Sequence, residues 1–168
     1  IAKKFTQEGA EVVINSRNFE ELNAAAKSLD NCNFVVGDVS NPEGAKNTIT
    51  SATNILGGID IVICNVGSGS SVPPGQEDYH EWQRVFAVNF FSATNLIEAS
   101  RKFLKNSHGS IVCISSICGS ERIPGAPITY SVAKSALNTY VKSISVPLAL
   151  EGIRINSVNS CRSFLFIN

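Results

Sequence analysis

Tyr130 and Lys134 stand four residues apart in a stretch that reads as helix, and Ser116 lies fourteen residues before Tyr130, closing an apolar, strand-like run. Side chains at i and i+4 share a helical face, so the Lys134 ammonium is expected within a few ångströms of the Tyr130 phenol. A neighbouring cation stabilises a phenolate over a phenol, which equips the pair to exchange a proton at cellular pH. A serine hydroxyl presented from a strand end adds a donor for the same substrate oxygen. Acid, tuner and oxygen-binding donor together suit reduction of a carbonyl or oxidation of an alcohol.

Each member also fits a bland role. Tyr and Lys at this spacing recur by chance on solvated helix faces, and Ser115 and Ser116 could simply end a strand, because serine favours turns and caps. What lifts the trio is its order within the rest of the chain.

The chain has 168 residues, the size of one domain and enough to bury a core. Its 14 Lys and Arg balance its 14 Asp and Glu, so no polyanion-binding field is expected. The small basic group Arg101, Lys102 and Lys105 reads as a wet helix face, and nucleic acid is not an expected partner. No apolar run approaches the roughly 18 residues that span a bilayer, and the start at Ile1 lacks the charge-then-apolar order of a signal peptide. A soluble cytoplasmic protein with no membrane partner is expected. Cys32, Cys64, Cys113, Cys118 and Cys161 are scattered without Cys-x-x-Cys or His-rich spacing. They read as reduced, mostly buried thiols, and no metal site is visible.

Strand and helix patterns alternate along the chain. Glu11 to Asn15 is a short apolar strand, and Asn18 caps a helix that carries Leu22, Ala26 and Leu29 at helical spacing. Phe34 to Val36 is a second strand. Asn41-Pro42-Glu43 opens a helix with Ala45, Ile49, Ala52 and Leu56 on one face, stopped by Gly57-Gly58. Ile59 to Cys64 is a third strand, apolar throughout as if covered on both faces. A Gly/Ser/Pro loop, Gly67 to Gln76, precedes a single helix expected from Asp78 to Lys105, with Trp82, Val85, Phe86, Ala93, Leu96, Ile97 and Phe103 inward. Ile111 to Ser115 is a fourth strand, Tyr130 to Glu151 a long helix, and Ile153 to Val158 the last strand. This βαβ series predicts an α/β fold with a doubly wound parallel sheet, whose ligands bind at the carboxyl ends of the strands.

At this level the chain resembles the short-chain dehydrogenases/reductases of the compact single-domain type. The likeness runs from about Ile1 to Asn159, taken as one partial Rossmann-like cofactor-binding and catalytic domain, with 160–168 as an atypical tail. It rests on Gly9-Ala10, Gly37-Asp38-Val39, Cys64-Asn65-Val66-Gly67, Val88-Asn89, Ile114-Ser115-Ser116 with Gly119, Tyr130-Ser131-Val132-Ala133-Lys134, and Gly152-Ile153-Arg154-Ile155-Asn156. Each motif is weak alone; in this order and spacing they are specific.

The resemblance implies roles. Tyr130 would be the general acid or base, Lys134 would tune it and hold the nicotinamide ribose, Ser116 would orient the substrate oxygen, and Asn89 would hold a water in the proton relay behind Lys134. An amide among Val85, Val88 and Phe90 needs polar partners, and a water is one; the alternative is an asparagine facing solvent. Asp38, with Val39, would meet the adenine, and Asn65, Val66 and Gly67 would pass close to the adenosine side. Arg17 follows the first visible strand, where an NAD site would place an acid against the ribose 2′-OH, so NADP(H) is expected over NAD(H). A small carbonyl or alcohol substrate and a homo-oligomer, dimer or tetramer, packed through the two long helices are also implied.

Departures accompany the matches. The chain starts inside what should be the first helix, so the first strand and its glycine-rich phosphate loop are absent; in the expected order 3-2-1-4-5-6 that strand is central. The first and third visible strands should then lack a partner between them, and normal activity is not expected of these residues alone. Val66 replaces a small residue and crowds the cofactor side. Pro147 interrupts the long helix at a cost near 3 kcal/mol unless a kink absorbs it. Ser160-Cys161 replaces the family's Pro-Gly, and the carboxyl-terminal strand and substrate lid are missing. The leading expectation is an NADP(H)-dependent oxidoreductase, 3-oxoacyl reductase-like or a related ketoreductase. A non-catalytic or truncated member and a sugar-nucleotide epimerase or dehydratase remain open beside it.

Overall fold

The computed structural model describes residues 1–160, so the tail from Cys161 onward lies outside the described residues. A short helix α1 (Ala2–Gln7) leads into β1 (Val12–Ser16), α2 (Phe19–Lys27), β2 (Cys32–Val36), α3 (Pro42–Leu56) and β3 (Ile61–Cys64). Then come α4 (Tyr79–Phe86), a π-turn at Ala87–Phe91, α5 (Ser92–Ser107), β4 (Ser110–Ser116), a 3₁₀ turn at Ile117–Gly119, α6 (Ile128–Leu150) and β5 (Arg154–Ser160).

Local chemistry sets the helix starts. Asn18 Oδ1 accepts the Glu20 and Glu21 N–H groups, and Asn41 Oδ1 accepts the Gly44 N–H ahead of a helix that begins on Pro42. Gly57 closes α3 in left-handed backbone at φ 74.

All strand pairings are parallel, as the βαβ order requires. The strands form two groups, β1-β2 and β3-β4-β5. Among the described residues β1 pairs only with β2 and β3 only with β4, so the facing edges of β1 and β3 have no strand between them. The core lies on the larger group, where Ile97 and Leu104 of α5, Leu137 and Leu148 of α6, and Ile111 of β4 are all under 2% exposed. Each such side chain contributes about 1.5–3 kcal/mol by leaving water.

Two helix expectations need correction. The single helix from Asp78 to Lys105 is instead two α-helices joined by a π-turn. Side-chain bonds accompany the widening: Asn89 Nδ2 donates to Val85 O at 3.0 Å and Ser92 Oγ to Val88 O at 2.6 Å, and such bonds compete with the i to i+4 ladder. The helix expected from Tyr130 begins at Ile128, immediately after Pro127, so Tyr130 sits inside its first turn. It continues through Pro147 to Leu150.

Candidate active site

Lys134 is 4% exposed, an unusual place for a charge. Its ammonium donates to Ile114 O at 2.9 Å and stands 5.9 Å from the centre of the Tyr130 ring, one helical turn back. Burial pulls the Lys134 pKa below the ordinary lysine value, against the opposing pull of the Cys113 and Cys64 thiols. The lysine backbone is seated as firmly as its side chain. Ser115 Oγ donates to Lys134 O at 3.4 Å, and a Cβ on Gly119 would fall 2.7 Å from Lys134 C, so only glycine lets the 3₁₀ turn lie against α6 here.

Ser116 ends β4 and is 7% exposed. Its Oγ accepts the Cys118 N–H at 3.2 Å, which leaves the hydroxyl proton available to another acceptor.

Asn89, on the π-turn, is 1% exposed, which rules out the solvent-facing alternative. Its Oδ1 accepts Ser68 N–H at 2.9 Å and its Nδ2 donates to Ser68 O and Val85 O, both at 3.0 Å. The side chain therefore clasps the loop after β3 from both sides of one residue. Gly67 lies between this clasp and the lysine, where a Cβ would stand 3.1 Å from Asn89 Oδ1 and 3.2 Å from Lys134 Nζ.

Arg17, Asp38, Val39, Asn65, Val66 and Gly67 line one cleft of about 1060 Å³ running along β1 and β3. Tyr130, Ser116, Asn89 and Lys134 are not in its wall; Gly67 is the residue that joins the two groups. Asp38 Oδ1 accepts Ser40 N–H at 3.0 Å. Hydrogen bonding from Ser40, with a smaller contribution from Arg17, holds the Asp38 carboxyl below its usual range. Arg17 is 73% exposed at its side chain, with Nη1 3.9 Å from Asp38 Oδ2. A second depression of about 580 Å³ at the amino end of α2 is lined by Ser16, Arg17 and Asn18.

Four residues beside the site carried no signal in the sequence. Ser71 Oγ donates to Glu81 Oε1 at 2.7 Å and contacts Thr129 Oγ1 at 2.8 Å. A hydroxyl has one proton, so with Ser71 donating to Glu81 it is Thr129 that donates to Ser71. Arg84 grips both Glu81 oxygens. This chain ties the loop after β3 to the residue preceding Tyr130. Among the described residues no group of three or more His, Cys, Asp or Glu is placed to hold a metal, and no helix is long and apolar enough to cross a membrane.

Comparison with known proteins agrees with this architecture. A family model described as enoyl-(acyl carrier protein) reductase matches residues 1–161. An uncharacterised oxidoreductase of Staphylococcus aureus is 32% identical over 95% of this chain and 70% of its own length. A short chain aldehyde dehydrogenase of Euphorbia lathyris is 33% identical over 94% of this chain and 56% of its own. A Caenorhabditis elegans short-chain dehydrogenase/reductase of unknown function, solved with cofactor, superposes with a TM-score of 0.87 at 28% identity, covering 94% of this chain and 62% of that one. The chain thus spans between about half and 70% of the length of these relatives. On the family model's span and on these likenesses together, the chain belongs to the short-chain dehydrogenases/reductases, a family of oxidoreductases.

Proposed function

We propose that this protein is an NADP(H)-dependent cytoplasmic oxidoreductase that interconverts a small-molecule carbonyl and its alcohol, in the manner of a 3-oxoacyl reductase or related ketoreductase. Residues 1–159 are its catalytic and cofactor-binding unit. The observation that carries this reading is the Lys134 ammonium, buried against Ile114 O and beside the Tyr130 ring.

A nicotinamide dinucleotide suits the residues present. Asp38 offers a carboxylate acceptor for an adenine amine, and Asn65, Val66 and Gly67 bring open backbone to the cleft wall. When bound, the cofactor supplies or accepts the hydride. The remaining chemistry belongs to the chain. Tyr130 gives its proton to the carbonyl oxygen in reduction and recovers it in oxidation. Lys134 stabilises the phenolate left behind. Ser116, its oxygen already accepting from Cys118, points its proton at the substrate oxygen and fixes it for transfer. Asn89 Oδ1 keeps a second lone pair beyond the Ser68 bond, suited to a water that relays protons toward Lys134.

NADP(H) is favoured over NAD(H) by Arg17. Its exposed pairing with Asp38 at 3.9 Å is weak, so the guanidinium is free to turn to a 2′-phosphate. A dimer or tetramer is supported by apolar side chains left open near and on the long helices, with Phe91 46%, Val146 68% and Leu150 87% exposed.

The test is NADPH oxidation by the full-length protein against a panel of ketones and aldehydes, with Tyr130→Phe as comparison. Loss of general acid catalysis should lower turnover by about 10²- to 10⁴-fold. Undiminished turnover in the phenylalanine variant ends this reading.

A further inference from the structure

Cys64 and Cys113 are register partners on the adjacent parallel strands β3 and β4, and neither is disulfide-bonded. Both are buried, at 3% and 0% exposed, and Cys64 is the last residue of its strand. Cys64 Sγ donates weakly to Ala93 O across a long 3.9 Å, a bond the thiol gives up when it rotates its proton toward the neighbouring sulfur. Adjacent strands lie about 4.7–4.9 Å apart, inside the Cα separation of about 4.4–6.8 Å that a disulfide accepts.

We propose that Cys64 and Cys113 form a reversible intramolecular disulfide, a peroxide-oxidised modification site at the floor of the active site. Directly opposed parallel residues hold their Cβ atoms somewhat further apart than the roughly 3.5–4.5 Å a relaxed disulfide prefers. The bond therefore forms under strain, and strained disulfides are the readily reduced ones.

The two thiols have different parts. Hydrogen bonding to Cys64, aided by the Lys134 charge, holds the Cys113 thiol below its usual range, while the same contact and burial push Cys64 well above it. Cys113 sulfur attacks one oxygen of hydrogen peroxide; the O–O bond breaks, leaving a sulfenic acid and one water. Cys64 sulfur then attacks Cys113 sulfur, the S–O bond breaks, and the hydroxyl departs with the Cys64 proton as a second water. Two thiols are oxidised by two electrons and the peroxide is reduced to water. Cys64 directly precedes Asn65-Val66-Gly67, and Cys113 lies three residues before Ser116, so the new bond tightens the strand ends that carry both parts of the site. The inference rests on the strand register and does not depend on the carbonyl reading.

The experiment exposes the folded full chain to hydrogen peroxide, blocks remaining thiols under denaturing conditions, and maps peptides by mass spectrometry without reduction. A Cys64–Cys113 linked peptide that disappears with dithiothreitol is expected. Cys64→Ser should abolish the link and leave Cys113 as a sulfenic acid captured by dimedone. If that variant does not fold, the wild-type map decides alone. Full alkylation of both cysteines after peroxide, or links that instead join either one to Cys32, Cys118 or Cys161, overturns the proposal.

Discussion

Gly67 approaches Lys134 so closely that a Cβ on the glycine would stand 3.2 Å from the ammonium nitrogen. Neither neighbour is free to retreat. Lys134 Nζ is held by Ile114 O, and Asn89 Oδ1, 3.1 Å from the same point, is held by Ser68 N–H. Gly67→Ala should therefore cost about 1–3 kcal/mol of stability, the usual range for overpacking a fitted site, and reduce turnover by displacing the ammonium. Urea denaturation and steady-state kinetics on the same variant check it. An unchanged midpoint together with unchanged turnover would show that the loop yields where it is drawn as fixed.

Asn89 takes up three backbone groups of two residues, Ser68 N–H, Ser68 O and Val85 O. Asn89→Ala removes all three bonds, the one to Val85 O buried and the two to Ser68 half-buried, and leaving such groups unsatisfied costs about 1–3 kcal/mol. Hydrogen exchange over residues 65–70 should quicken with the loss of stability. If exchange there stays at the wild-type rate, the clasp does not hold the loop.

Much of the scaffold was legible because its signals are local. Asn18, Asn41-Pro42 and Gly57 sit within a turn of the ends they mark, and the Tyr130 to Lys134 spacing is itself one turn. The π-turn was not legible. Val85, Ala93, Leu96 and Ile97 keep helical spacing closely enough to read as one continuous helix, and only the bonds from Asn89 and Ser92 to earlier carbonyls reveal the wider turn. Contacts between distant segments were hidden for the same reason. Ser71 meets Thr129 across 58 positions, and the Cys64 to Cys113 pairing depends on a strand register that no local pattern encodes.

Glu81 makes the stability pH-dependent on the acid side. Hydrogen bonds first from Arg84 and then from Ser71 lower its pKa from 4.5 to about 2. A depressed carboxyl pKa means the unfolded chain binds the proton more readily than the folded one. The contribution is thus complete above about pH 4.5 and disappears as pH falls toward 2. Melting temperatures of wild type and Glu81→Gln should differ by a constant amount near neutrality and converge across that window. A gap that persists unchanged to the acid end would assign the effect to packing and not to the charge.

On the proposed reading, Arg17 sets the cofactor preference through a single exposed charge. Hydrogen bonds to a charged group contribute about 1.5–3 kcal/mol, and each 1.4 kcal/mol is tenfold in affinity, so Arg17→Ala should lower kcat/KM for NADPH by about 10- to 100-fold. NADH lacks the 2′-phosphate, and its kcat/KM should hardly change. The side chain is 73% exposed, so salt screens the interaction and the wild-type preference should narrow as ionic strength rises. Arg17→Lys keeps the charge but not the planar fork, and should recover part of the preference. Equal losses with both cofactors would mean that Arg17 supports the turn between β1 and α2 and does not read the phosphate.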